Sequence, residues 1–141
     1  RETYLAYLET ELEEVQSQHC FDVLGHLDMV LRDQAFEHRT FDRAEYFLLV
    51  DDILKTLIES GRGIEVNTSG YRYGLNDTHP GWRTVKRYRE LGGEIITCGS
   101  DGHRPDSFGC GIADAYAKLR EIGYTHISFF IERREEKRPL R

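Results

Sequence analysis

The stretch "RAEYFLLVDDILKTLIESGRGIEVN" (Arg43–Asn67) holds two hydrophobic periods separated by a glycine, and the change of period decides the fold. From Arg43 to Ser60, Phe47, Val50, Ile53, Leu54, Leu57 and Ile58 recur at helical spacing and predict one broad apolar face. Gly61 is placed to cap that helix. "GIEVN" (Gly63–Asn67) then predicts a strand in which Glu65 alternates with Ile64 and Val66, so Glu65 faces the barrel interior or the other face. Pairing inside the fold is the simpler role for Glu65; support of a neighbouring ligand is the alternative.

The same alternation extends in both directions. Leu5, Leu8, Leu12 and Val15 predict an N-terminal amphipathic helix, followed by a strand "FDVLG" (Phe21–Gly25). Pro80 suits the opening of a third helix that Gly92 closes, and "EIITC" (Glu94–Cys98) follows as a strand. "GCGIADAYAKLREIG" (Gly109–Gly123) predicts a fourth helix and "HISFFI" (His126–Ile131) a fourth strand. The class is therefore α/β, with about four parallel strands alternating with helices. The absence of a Ser/Pro-rich linker argues for one domain, and the tail "ERREEKRPLR" (Glu132–Arg141) reads as a solvated end.

Of 141 residues, 39% are hydrophobic and 31% charged, enough for a globular core. A formal charge of −6 argues against general nucleic-acid binding. The charged opening "RETYLAYLETELEE" is no signal peptide, and no run approaches the roughly 20 apolar residues of a membrane span. A cytoplasmic protein without membrane partners is expected. Cys20, Cys98 and Cys110 lack paired spacing and read as reduced thiols, Cys98 being buried in its strand. Because the chain opens on Arg1 and its only methionine is Met29, a longer translated product is expected.

Polar residues gather where the strands end. "GHLD" follows the first strand, "NTSGYR" the second and "GSDGH" the third, at the C-terminal strand ends that carry sites in parallel α/β folds. In extended chain, residues two apart point the same way, so His26 with Asp28, and Asp101 with His103, can each aim as a pair into one cavity. Imidazole and carboxylate are ligands for Zn, Mn or Fe. The plainer reading makes them turn and cap residues. Arg32 and Arg72 lie just beyond these motifs, where a guanidinium can hold a phosphate, although lone arginines are more often surface residues. His19, His38, His79 and His126 read as surface or packing residues, and Gly109 with Gly111 carries only part of a phosphate-loop pattern.

Together, "FDVLGHLDMVLR" (Phe21–Arg32), "GRGIEVNTSGYR" (Gly61–Arg72) and "YRELGGEIITCGSDGH" (Tyr88–His103) resemble the C-terminal half of the histidinol-phosphatase branch of the polymerase and histidinol phosphatase (PHP) family. The resemblance implies a distorted (β/α) barrel with metal ions at its C-terminal face, hydrolysing a phosphomonoester, most particularly L-histidinol phosphate. It implies His26, Asp101 and His103 as metal ligands, the last two at the catalytic centre. Asn67, Ser69 and Arg72 would lie near the substrate, with Arg72 or Arg32 holding the phosphate. The family's opening His-x-His motif is absent, so the chain is expected to be the latter part of such a domain, or to cover its sheet edges by self-association. Another phosphomonoester or a nucleotide as substrate, and a non-catalytic metal-binding or assembly module, are the alternative readings.

Overall fold

The computed structural model describes residues 2–36, 39–41 and 43–141. The chain runs through α1 (Glu2–Ser17), β1 (Val23–Leu24), a 3-10 turn (Met29–Arg32), α2 (Ala44–Glu59), β2 (Gly63–Asn67) and the single turn α3 (Ser69–Arg72). It continues through α4 (Trp82–Glu90), β3 (Ile96–Gly99), α5 (Ile112–Ile122), β4 (His126–Ile131) and β5 (Arg134–Pro139). Gly61 closes α2 as expected. Its φ of +69° lets Arg62 N–H reach the Leu57 carbonyl at 2.8 Å.

β1, β2 and β3 form a parallel sheet in that order, with Ile64 beside Ile96 and Asn67 beside Gly99. The period of two places Ile64 and Val66, both fully buried, toward the helices. Glu65, Asn67 and their β3 partners Thr97 and Gly99 share the opposite face. On α2 the buried side chains are Tyr46, Val50, Ile53, Leu54 and Leu57, while Phe47 is half-buried under the Arg83 guanidinium. Tyr4 of α1 packs edge-on against Phe41 and Tyr46, joining α1 to α2. Arg87 of α4 grips Asp51 of α2.

The expected fourth parallel strand is corrected. β4 pairs antiparallel with β5 in a separate two-stranded sheet, so three parallel strands, not four, are present among the described residues. The supposed solvated tail is β5, a strand whose side chains remain mostly exposed. Glu132 and Arg133 make a two-residue turn with φ of 50° and 64°, and Arg133 is tied to Asp22 at 3.0 Å. Backbone pairing, rather than an apolar face, orders this segment. No helix among the described residues is long and apolar enough to cross a membrane.

Candidate metal and phosphate site

Where β3 ends, Asp101 adopts a φ of 49°, a left-handed conformation uncommon for a side-chain-bearing residue. The Arg72 Nη2 donates to the carbonyls of Ser100 at 2.8 Å and Asp101 at 2.9 Å, holding that bend from the α3 side. Gly109 N–H donates to Ser100 Oγ at 3.0 Å from beyond the loop. Gly102 allows a close crossing, because a Cβ there would sit 2.8 Å from the Ser107 carbonyl oxygen. His103 Nδ1 lies 2.9 Å from the Asp101 carbonyl oxygen and 3.6 Å from Asp101 Oδ1. The expected Asp101 and His103 pair is therefore formed. Asp101 is largely enclosed, whereas the His103 side chain is 83% exposed.

The expected pairing of His26 with Asp28 does not form a common cavity. His26 has a φ of 37°, and Met29 N–H and Leu31 N–H bond back to the carbonyls of His26 and Asp28. The chain has left the extended conformation, so residues two apart no longer share a side. Asp28 instead turns into the fold, its Oδ1 at 2.6 Å from His79 Nδ1 and its Oδ2 accepting from Gly81 N–H at 2.9 Å. His26 remains half-buried near Glu11 of α1. Burial pushes the Glu11 carboxyl up, opposed by the Tyr7 hydroxyl bonded to it and by His26 nearby.

β2 supplies the floor between these loops. The Glu65 carboxylate lies across the backbone of Gly99 and beside Gly25, where a Cβ would meet Oε2 at 3.4 Å. It accepts from Asn67 Nδ2 at 3.2 Å, and Asn67 Oδ1 accepts from Ser69 N–H at 2.9 Å. Asn67 and Ser69, expected near the substrate, are buried behind the groove beside Asp101 and are not among its lining residues. Their position behind the loop follows from Asn67 pairing on both sides, with Thr68 N–H on Gly99 O and its own backbone on His79.

Arg72, Tyr73, Asp101, His103, Arg104 and Ser107 line an open groove. Arg32 reaches it indirectly, its guanidinium stacked 4.5 Å from the centre of the Tyr73 ring. Among the described residues, no three His, Cys, Asp or Glu side chains lie close enough to hold a metal ion. Asp101 and His103 are thus together, without His26 completing a three-donor group. The donor types suit a divalent metal, but only as part of a set.

Of the remaining histidines, His19 and His126 are exposed as expected, and His38 lies outside the described residues. His79, expected as a surface or packing residue, takes the packing role. It is wholly buried and holds Asp28, and the His-Pro pair was its only local signal. The three cysteines are free, and burial together with the Glu65 charge pushes the Cys98 thiol up to about 12.

No family model matches the chain. Over 116 residues, or 82% of its length, it is 31% identical to the probable histidinol-phosphatase of Clostridium acetobutylicum. It is 29% identical over 77% of its length to that of Thermotoga maritima. Its fold matches the crystal structure of histidinol phosphate phosphatase from Lactococcus lactis, complexed with zinc, L-histidinol and phosphate, with a TM-score of 0.78. That match has 23% identity and covers 95% of this chain and 51% of the other. The chain spans 45% of the Clostridium protein and 44% of the Thermotoga one, about half the length of the curated relatives it matches. With its strand-end polar loops and parallel sheet, the chain is similar in sequence and fold to histidinol-phosphatases over about half of their length.

Proposed function

We propose that this chain supplies part of the active site of a metal-dependent phosphatase that hydrolyses L-histidinol phosphate to L-histidinol. The observation that carries the reading is the Asp101 and His103 pair at the C-terminal end of β3, in a chain similar to histidinol-phosphatases. Asp101, His103 and His26 are the ligands this chain contributes. The remaining donors and strands belong to the part of the family's length that the chain does not span, with residues 1–141 forming the C-terminal portion of a distorted β/α barrel. When bound, a divalent metal supplies Lewis acidity and positive charge for phosphoryl transfer; zinc is the metal in the Lactococcus lactis enzyme.

The chain's own residues have separable roles. Arg72 uses Nη2 to hold the Asp101 loop, which leaves its Nε and Nη1 without a partner among the described residues and available to a phosphate oxygen. Arg32, laid on Tyr73, adds positive charge beside the same groove. Glu65, Asn67 and Ser69 support the loops from beneath.

The test is phosphate release from L-histidinol phosphate by the intact protein with zinc, compared with other phosphomonoesters. Asp101→Asn and His103→Ala are each expected to reduce turnover at least about 100-fold, as loss of a charge-stabilising group does. Unchanged turnover in either variant overturns the assignment. The 141-residue chain alone is expected to bind zinc weakly and turn over little, because its donors form an incomplete set.

A further inference from the structure

Asp28 and His79 stand 51 positions apart, yet they form an enclosed polar contact, with side-chain exposures of 6% and 0%. Both Asp28 carboxylate oxygens are used, one by His79 Nδ1 at 2.6 Å and one by Gly81 N–H at 2.9 Å. A carboxylate that accepts from both sides assigns the shared proton to Nδ1. His79 is itself held at both backbone groups, each bonded to Asn67 at 2.8 Å. Thr78 Oγ1 donates to the Pro80 carbonyl at 2.7 Å across the same segment. One residue therefore joins the loop after β1 to the end of β2, and Asp28 joins that loop to the start of α4.

What this contact anchors is the turn that carries His26. The Asp28 carbonyl accepts from Leu31 N–H, and the His26 carbonyl accepts from Met29 N–H, each at 2.9 Å. His26 has a φ of 37°, and its ring makes no hydrogen bond among the described residues. Its direction is set by the turn, and the turn is fastened to the fold through Asp28.

We infer that the buried Asp28 and His79 pair is a positioning device that fixes the His26 turn, an inference that rests on the reading of His26 as a ligand. His79 Nε2 makes no hydrogen bond among the described residues, so the ring's polar role is carried by Nδ1 alone. Asparagine can place an N–H near that position; leucine cannot.

The experiment compares His79→Asn and His79→Leu in the intact protein, by amide hydrogen exchange at Met29 and Leu31 and by zinc affinity. His79→Leu is expected to speed exchange at both amides and weaken zinc binding about 10-fold or more, the usual effect of losing a ligand-orienting partner. His79→Asn is expected to stay within about three-fold of the parent on both readouts. Unchanged exchange in the α2 core identifies a folded variant; should His79→Leu fail that control, Asp28→Asn is used in its place and carries the same expectation. Parent-like protection of Met29 and Leu31 in the folded variant, or equal damage from asparagine and leucine, overturns the inference. A parent protein that binds no zinc through His26, Asp101 and His103 refutes the metal reading instead, and the exchange result still decides whether the pair holds the turn.

Discussion

The carboxylate of Glu65 occupies the space that a side chain at Gly99 would need: a Cβ built there runs into Oε1. The crowding at the end of β3 therefore comes from the far end of a flexible side chain on β2, in a register that places Thr97 beside Glu65 and Gly99 beside Asn67. Gly99→Ala is expected to cost about 1 kcal/mol, because Glu65 swings its carboxylate aside and gives up its hydrogen bond from Asn67. In a Glu65→Ala background the same change is expected to cost under about 0.5 kcal/mol. Urea unfolding of the four proteins measures the coupling; equal costs in both backgrounds would remove this contact as the cause.

Asp51 and Arg87 join α2 to α4 through two bonds, Nε to Oδ1 at 2.8 Å and Nη2 to Oδ2 at 2.6 Å. The guanidinium holds the Asp51 carboxyl below its usual value. Stability from a depressed carboxylate is present above the unfolded value of about 3.9 and is lost as the pH falls through the folded value. Asp51→Asn is therefore expected to lower Tm by about 3 °C at neutral pH, with the gap closing as the solution is acidified below about pH 3.9. A gap that persists undiminished to pH 2 would refute the ionic origin.

The turn between β4 and β5 places Glu132 at a φ of 50° and Arg133 at 64°. Glycine relieves this conformation but adds freedom to the unfolded chain, so Glu132→Gly is expected to raise Tm by only about 1–3 °C. Arg133→Gly should gain less, since it also removes the bonds to Asp22. Thermal unfolding of the two variants decides the order, and a fall in Tm for Glu132→Gly would show that its side chain has a stabilising contact.

Cys20 and Cys110 are exposed, whereas Cys98 has its thiol pushed up to about 12 by burial and by Glu65. A thiol reagent at pH 8 is expected to label the first two quickly and Cys98 only after unfolding, because the thiolate is the reacting form. Rapid labelling of Cys98 in the native protein would mean that its strand opens far more readily than its packing implies.

Local periodicity by itself determined much of this protein: the apolar face of α2, the strands "GIEVN" and "HISFFI" at their observed limits, and polar groups at strand ends. Asp101 with His103 was legible too, because two residues in one loop need no distant partner to come together. Only the tertiary structure decided where Asp28 points. At His26 the backbone leaves the extended state, and the atom that captures Asp28 lies 51 positions along the chain, on a residue bridged to the end of β2 that sequence spacing cannot connect to it. The tail was hidden for a related reason. β5 has no apolar alternation, and its order comes from backbone hydrogen bonds to β4 and a tight turn, which a charged sequence conceals until the partner strand is in place. Sequence encodes the faces that seek burial, while loop paths and backbone partners decide which distant polar groups meet.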